Sequence, residues 1–276
     1  MYYLIIIILA VVIVVLIWHH FSKKIKKVTE YYQEALETER KFSRNRGEII
    51  TQIVLEDMKK EFLKDGKIKE NEMFILPNLF IPDQSNPRKL EIRQIDHLLL
   101  LKTGLYIIET KHWKGTILFG ATEKSLNNEN LNLSFIYNMM TDSKKDEDNE
   151  QTFIFKSEKT KSIGEESRQI VIQNYGHPTA QVRGAARTLN KFLNEKLNFN
   201  VDYVKGLVYF NYESGGHNRL INHSKNDKNE KVVFDNKTQL KKFFNDTLVR
   251  NPVEKYTIDQ LMMIKSLLEN VNYRNK

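Results

Sequence analysis

The stretch IDHLLLLKTGLYIIETKHWKG, residues 95–115, decides the fold. Its two apolar runs are separated by Lys102-Thr103-Gly104, and a short turn between two such runs predicts a β-hairpin. The uninterrupted leucines and isoleucines predict central strands that are covered on both faces. The second run ends in Glu109 and Lys111, which strand alternation places on the same face. Charges at the end of a buried strand are costly unless they are paired or bind something, so this stretch also indicates a site.

The register of the hairpin determines which charged side chains meet. A two-residue turn at Lys102-Thr103 sets Asp96 opposite Glu109, whereas a turn at Thr103-Gly104 sets Asp96 opposite Lys111. Both registers place the three side chains on one face of the sheet, where opposed Cβ atoms are about 5 Å apart. A three-residue turn would move Asp96 to the other face and separate it from the pair.

These three charged side chains allow two interpretations. Two carboxylates at this separation repel unless a cation lies between them, and a hard divalent ion takes oxygen ligands at about 2.1 Å. A neighbouring ammonium stabilises charge that develops on phosphorus or orients the attacking water. The alternative is a plain cross-strand salt bridge, in which Asp96 or Glu109 pairs with Lys111. The pattern alone leaves both interpretations open.

The sequence on both sides of the hairpin predicts a mixed α/β domain. Residues 72–82 predict one strand or two short ones, and Pro77 restricts this segment to an edge or a break. Residues 121–168 are rich in Asn, Lys and acids, and predict a loop-like insertion with a short strand at TFIFK. The remaining segments predict helices at 47–66, 177–197, 236–248 and 257–271, and strands at 168–174, 202–212 and 231–235.

The amino-terminal residues MYYLIIIILAVVIVVLIW, 1–18, form an uncharged apolar run. The run reaches the roughly 20 residues that span a bilayer if it extends to Phe21, which predicts a transmembrane anchor over residues 1–21. The segment lacks the basic n-region and the small-residue cleavage site of a signal peptide. Basic residues follow the run and suit anionic headgroups: Lys23, Lys24, Lys26 and Lys27.

The position of these lysines predicts the orientation of the chain. The positive-inside rule places them, and everything after residue 22, in the cytoplasm. We therefore expect a single-pass protein of the cell membrane whose soluble domain faces the cytoplasm. The predicted organisation begins with the anchor at residues 1–21 and a basic helical stalk at 22–45. A domain follows at 46–250, with an insertion at about 121–168, and a carboxy-terminal helix occupies 251–276.

The charge balance of the whole chain is basic. Lys and Arg number 43 against 35 Asp and Glu, which gives a formal net charge of +8. This excess suits an anionic partner, either nucleic acid or a membrane surface, although a solvated lysine-rich surface also accounts for it. The absence of cysteine excludes disulfides and thiolate metal sites.

Two predicted helices add further candidate residues. On the helix that begins at Pro178, the basic side chains suit phosphates, or they form an ordinary solvated face: Arg183, Arg187 and Lys191. Gln181 lies in the first turn of that helix, at the edge of its buried stripe. Glu48 lies in the first turn of an earlier helix. The helix dipole alone favours an acid at this position, and the alternative is that Glu48 projects into the site.

Three segments together resemble the nuclease-related domain, known as NERD, a branch of the PD-(D/E)XK nuclease superfamily. They are GE at 47–48, IDHLLLLKTGLYIIETKHWKG at 95–115 and HPTAQVRGAARTL at 177–189. The resemblance covers roughly residues 45–235 and is interrupted by the 121–168 stretch. It implies a restriction-endonuclease-like fold, in which helices flank a mixed central β-sheet, and Mg²⁺-dependent cleavage of phosphodiester bonds.

The resemblance also implies roles for individual residues. Asp96 and Glu109 would bind Mg²⁺ or Mn²⁺, and Lys111 would stabilise the attacking water or the transition state. Gln181 and Glu48 would support this catalytic centre. The Asn-Pro-x-x-Q pattern of the family is replaced here by NYGHPTAQ, which keeps the glutamine three residues after the proline.

The sequence thus predicts a membrane-anchored, Mg²⁺-dependent nuclease that acts on DNA. The main alternative is a non-catalytic module with a nuclease-like fold, which binds nucleic acid or protein at the cytoplasmic face of the membrane. A third interpretation is a structural membrane scaffold in which the charged residues form salt bridges.

Overall fold

The structure, a computed structural model, describes residues 13–23, 46–83, 91–127, 133–141, 149–162, 165–211, 218–225, 230–250 and 252–273. The chain divides into two compact units, Met1–Arg44 and Asn45–Lys276. Of the first unit the structure describes residues 13–23, which are helical and have exposed side chains.

The predicted anchor is not confirmed. Among the residues described above, no helix combines the length and the apolar character that crossing a bilayer requires. Residues 1–12 of the predicted anchor and residues 24–45 of the predicted stalk lie outside the described ranges.

The second unit is a mixed α/β fold in which helices flank two mixed sheets. Its strands are β1 Met73–Asp83, β2 Glu91–Leu101, β3 Gly104–Lys111, β4 Thr116–Ala121, β5 Gln151–Ser162, β6 Glu165–Asn174, β7 Lys205–Phe210, β8 Arg219–Asn222 and β9 Val233–Phe234. Its helices are α1 Arg46–Lys64, α2 Glu123–Asn127, α3 Ser134–Met140, α4 Pro178–Lys196, α5 Lys237–Val249 and α6 Ile258–Tyr273, and a short 3₁₀ helix spans Glu70–Glu72.

The larger sheet contains the hairpin from which the prediction started. Its strand order is β1-β2-β3-β7-β9, with antiparallel pairs on the β1 side and parallel pairs from β3 to β9. Strand β1 lies at the edge of this sheet, as Pro77 predicts. Strand β3 is buried from Gly104 to Thr110, which confirms the central position that its apolar run predicts.

The smaller sheet corrects two predictions, the single central sheet and the loop-like insertion at 121–168. Strands β6, β5, β4 and β8 pair in that order, and the insertion supplies β5 and the beginning of β6. The long β5–β6 hairpin runs from Phe153, opposite Asn174, to Ser162, opposite Glu165. Helices α2 and α3 contribute Leu126, Ile136 and Tyr137 to a small core. The strands of this sheet contribute Leu118, Ala121 and Phe153 to the same core.

The carboxy-terminal helix, predicted as a separate segment at 251–276, lies in the compact unit Asn45–Lys276. Helix α6 packs on β1, and the Asn272 side chain accepts a hydrogen bond from the backbone N–H of Phe80 at 2.7 Å. Asn272 is buried, and the apolar side chains Leu261, Ile264 and Leu268 of the same helix are fully buried. Buried residues three or four positions apart are typical of an amphipathic helix that packs on a sheet.

Gly115 links the end of the β3 segment to β4 and is required there for two reasons. Its φ is +112°, and a Cβ at this position would lie 2.3 Å from the carbonyl oxygen of Phe155. We expect Gly115→Ala to lower the free energy of unfolding by about 2–4 kcal/mol, because an unfavourable φ and a backbone clash add together.

Gly66→Ala is the matched control for this prediction. Gly66 also has a positive φ, +68°, but no atom lies within 4 Å of the added Cβ. In a urea denaturation experiment, Gly66→Ala should lower the free energy of unfolding by about 1 kcal/mol, because of the backbone conformation alone. Equal losses for the two variants would contradict the proposed clash.

Candidate active site

The hairpin has the first of the two predicted registers. Leu101 pairs with Gly104 and His97 pairs with Ile108, which leaves a two-residue turn at Lys102-Thr103. Continuing this register places Asp96 opposite Glu109. The carboxylate of Asp96 lies against β3, where its Oδ2 accepts a hydrogen bond from the backbone N–H of Thr110 at 2.8 Å.

Lys111 joins the strand to helix α4. Its Nζ donates to Oε1 of Glu109 at 2.7 Å and to Oε1 of Gln181 at 3.3 Å. Gln181 itself is exposed in the first turn of α4, whereas the Lys111 and Glu109 side chains are 14% and 8% exposed. The salt bridge of the simpler interpretation is therefore present, between Lys111 and Glu109.

Helix α1 brings Glu48 to the same region. Glu48 is buried in the first turn of α1, as the sequence placed it. One turn later, Thr51 Oγ1 lies 3.2 Å from the hydroxyl of Thr110, the residue between Glu109 and Lys111. The amino end of α1 is thus attached directly to the end of β3.

Asn211 is a site residue that the sequence analysis did not identify. It follows β7, the parallel neighbour of β3, and its N–H donates to the carbonyl of Lys111 at 3.2 Å. Its side-chain amide donates to Thr51 Oγ1 at 2.7 Å and to the carbonyl of Gly47. A polar residue directly after a buried strand, at the edge where β3 also ends, is the signal that was available.

A variant of Asn211 tests this connection. We expect Asn211→Ala to lower the free energy of unfolding by about 1–3 kcal/mol, since the carbonyl of Gly47 and the hydroxyl of Thr51, both on α1, lose a hydrogen-bond donor. Asn138→Ala is the control, at an exposed asparagine that donates to Glu123. It should change the free energy of unfolding by less than about 0.5 kcal/mol. Equal stability of the Asn211→Ala variant and the parent in denaturant titrations would contradict this account.

Asn78 adds an unusual backbone conformation beside Asp96. The pairs Pro77–His97 and Leu79–Ile95 place Asn78 opposite Asp96 on the edge strand. Asn78 has a φ of +50°, a region in which asparagine is one of the better tolerated side chains. Strained backbone of this kind clusters at functional sites.

The electrostatics of the site are most evident at Asp96, through its burial and then its neighbouring carboxylates. Burial raises the pKa of Asp96 to about 8, and the negative charges of Glu109 and then Glu48 act in the same direction. The hydrogen bond from the backbone N–H of Thr110 and the charge of Lys111 oppose this rise. Among the charges that act on Asp96, two carboxylates therefore outweigh one ammonium.

This imbalance fits a bound cation. Carboxylate oxygens are the ligands that Mg²⁺ and Mn²⁺ prefer, and a divalent ion beside Asp96 and Glu109 would offset their repulsion. In the described part of the chain, no group of three or more His, Cys, Asp or Glu side chains is arranged to hold a metal ion. A cation at this site would therefore depend on two carboxylates, with water and substrate oxygens as its other ligands.

The predicted basic row on α4 is only partly exposed. Arg183 is half-buried, whereas Arg187 and Lys191 are exposed and line a groove of about 160 Å³. Asp83 and Glu195 line the same groove, so its charge is mixed. Among the described residues, no hydrogen bond or ion pair joins the three basic side chains to the acidic site.

The fold and the site define a mixed α/β protein with opposed carboxylates and a lysine at the end of neighbouring central strands. The profile of the nuclease-related domain family, NERD, matches residues 43–211, which is more than half of the chain. The chain therefore belongs to the nuclease-related domain family. No curated protein and no solved structure matches the chain.

Proposed function

We propose that the protein is a metal-dependent nuclease that hydrolyses phosphodiester bonds in DNA. The observation that supports this most is the position of Asp96 beside Glu109, with the ammonium of Lys111 hydrogen-bonded to Glu109 at 2.7 Å. Membership of the nuclease-related domain family supports the same class of function.

The proposed reaction adds a water oxygen to phosphorus and breaks one phosphorus–oxygen ester bond, which gives a phosphate monoester and a hydroxyl group. Asp96 and Glu109 would hold Mg²⁺ or Mn²⁺, which when bound withdraws negative charge from the phosphate. Lys111 stabilises the charge that develops on the phosphate oxygens or orients the attacking water.

The supporting residues keep Lys111 and the carboxylates in place. Gln181 accepts a hydrogen bond from Lys111, which restricts the position of the ammonium. Glu48, at the buried start of α1, adds negative charge beside Asp96 and so favours a cation there. We assign both as positioning residues.

The charge of the chain suggests how DNA is held. The formal net charge of +8 favours a polyanion, and basic residues that neutralise phosphates release counterions from DNA. We propose Arg187 and Lys191, which are exposed, and Arg183 as phosphate contacts along α4.

We also propose that residues 1–21 anchor the protein in the cell membrane, with the domain on the cytoplasmic side. The uncharged run at 1–18 supports this proposal, as do the exposed apolar side chains of the helix at 13–23. The basic residues after the run would lie near anionic headgroups: Lys23, Lys24, Lys26 and Lys27.

The proposal is tested by incubating the detergent-solubilised full chain with supercoiled plasmid in Mg²⁺ or in EDTA. We expect nicked and linear products in Mg²⁺ alone. Asp57→Asn, at an exposed acid on α1, serves as a control and should cleave like the parent. Salt-dependent binding of the plasmid without cleavage in Mg²⁺ or Mn²⁺ would contradict the proposal and identify the non-catalytic module instead.

A further inference from the structure

We propose that Trp113 and Tyr175 form a platform that stacks on an unpaired nucleobase, so that the preferred substrate is single-stranded or locally unpaired nucleic acid. This inference rests on the proposed function, because it assigns the substrate class of the same site. It concerns two aromatic residues that the mechanism above does not use.

The two rings form one aromatic surface. Their centroids are 4.6 Å apart and their planes are inclined by 32°. Trp113 also contacts the buried ring of Phe210, at 5.7 Å between centroids. Tyr175 is 42% exposed, so a pair formed only for core packing does not account for its position.

The platform lies next to the proposed catalytic lysine. The Nζ atom of Lys111 is 5.4 Å from the centroid of the Trp113 ring. Together with the distance between the two rings, this places the centroid of Tyr175 within about 10 Å of the ammonium. Because stacked nucleotides rise by about 3.4 Å each along one strand, a base on Tyr175 would be about three nucleotides or fewer from the scissile phosphate.

Tyr175 is held in place by the smaller sheet. Its backbone N–H donates to the carbonyl of Thr152 at 2.9 Å, and its hydroxyl donates to Oε1 of Gln173 at 2.8 Å. Lys156 also donates to Gln173, and its Nζ is 6.0 Å from the Tyr175 ring centroid. An aromatic ring with a lysine beside it is the combination that proteins use to bind unpaired strands.

The segment that carries Tyr175 connects the smaller sheet to helix α4. In NYGHPTAQ, the turn after Tyr175 uses Gly176, whose φ is +68° and whose N–H donates to the side chain of Asn174. The chain then enters α4, in whose first turn Gln181 contacts Lys111. Tyr175 therefore lies at the turn that leads into the helix whose first turn contacts Lys111.

A stacking platform discriminates between paired and unpaired nucleic acid. In a duplex both faces of each internal base are covered by neighbouring bases, so a protein ring reaches a base face only where the strand is unpaired or splayed. Base–aromatic stacking contributes about 1–3 kcal/mol per base, which corresponds to about 5- to 150-fold in affinity.

The test uses the full chain with Trp18→Phe, which leaves Trp113 as its single tryptophan, and with Asp96→Asn to prevent cleavage. Tryptophan fluorescence is followed while short oligothymidylate, or a blunt duplex of equal length, is added. We expect oligothymidylate to quench Trp113 and to bind more tightly than the duplex. Tyr175→Ala should weaken oligothymidylate binding by about 5- to 150-fold, and Tyr175→Phe should preserve it because the ring remains.

Tyr203→Ala is the matched control, since Tyr203 is an aromatic residue with 63% exposure and should leave binding unchanged. Circular dichroism melting of each variant verifies that it folds. Equal affinity of the parent, Tyr175→Ala and Tyr203→Ala for oligothymidylate, or no quenching at saturation, would overturn the platform. Quenching without plasmid cleavage by the unmutated chain would defeat the nuclease proposal alone, and cleavage without quenching would defeat the platform alone.

Discussion

Lys111→Ala should lower the rate of Mg²⁺-dependent DNA cleavage by about 10²- to 10³-fold, which is the usual effect of removing one charged stabiliser of a transition state. The structure supports a specific role, because the Lys111 ammonium is held by Glu109 and Gln181 at the end of a buried strand. The loss should appear in kcat, since an interaction made mainly in the transition state affects kcat more than KM.

The measurement is single-turnover cleavage of end-labelled DNA at saturating enzyme. Lys114→Ala is the matched control, because Lys114 is an exposed lysine three residues further along and should retain activity within about two-fold. Lys111→Arg keeps the charge but changes its geometry, so an intermediate rate is expected. A Lys111→Ala rate equal to that of the Lys114→Ala control would contradict the assigned role.

Asp96→Asn should abolish cleavage and, in the absence of metal, stabilise the fold. Burial and neighbouring carboxylates raise the pKa of Asp96 from 3.8 to about 8 in the folded state. A raised folded-state pKa means that folding binds a proton between these two values, so the contribution of Asp96 to stability is greatest below about pH 4 and is lost by about pH 8. Replacing the acid with a neutral amide removes this dependence.

Urea denaturation in EDTA at several pH values measures this effect. The variant should exceed the parent in free energy of unfolding by about 1–3 kcal/mol at pH 8.5, and by much less at pH 4. Asp57→Asn, at an exposed acid, should follow the parent at every pH. A constant difference between the Asp96→Asn variant and the parent across this range would contradict the raised pKa.

Adding Mg²⁺ should reverse the order of stability. A ligand that binds only the folded state stabilises it by about 2.7 kcal/mol at 100 times its Kd, and this gain requires the carboxylate. The parent should therefore become more stable in Mg²⁺, while Asp96→Asn should not respond. Identical Mg²⁺ responses of the two proteins would place the cation elsewhere.

The local patterns of the sequence predict the larger sheet well. Alternation and the Lys102-Thr103 turn predict the β2–β3 hairpin, one of two predicted registers is observed, and Pro77 predicts the edge position of β1. These features depend on neighbours in sequence or on a single residue type, so periodicity and turn chemistry are sufficient to detect them.

The smaller sheet depends on pairings that the sequence does not show. Strand β4 pairs in parallel with β8, where Thr116 lies opposite Arg219 across about 100 residues of chain. The β5–β6 hairpin carries many polar residues, and its side chains at 157–159 and 168–170 are exposed, so its composition is that of a loop. Asn211 was missed for a related reason, since its role follows from the parallel pairing of β7 with β3.

A crystal of the protein soaked in Mn²⁺ and measured at the manganese absorption edge tests the central claim most directly. The claim is that the hairpin register gathers Asp96, Glu109 and Lys111 into one cation-dependent site. The account predicts an anomalous difference peak at about 2.1–2.3 Å from oxygens of Asp96 and Glu109. A crystal with Mn²⁺ bound elsewhere and none between these two carboxylates would contradict it.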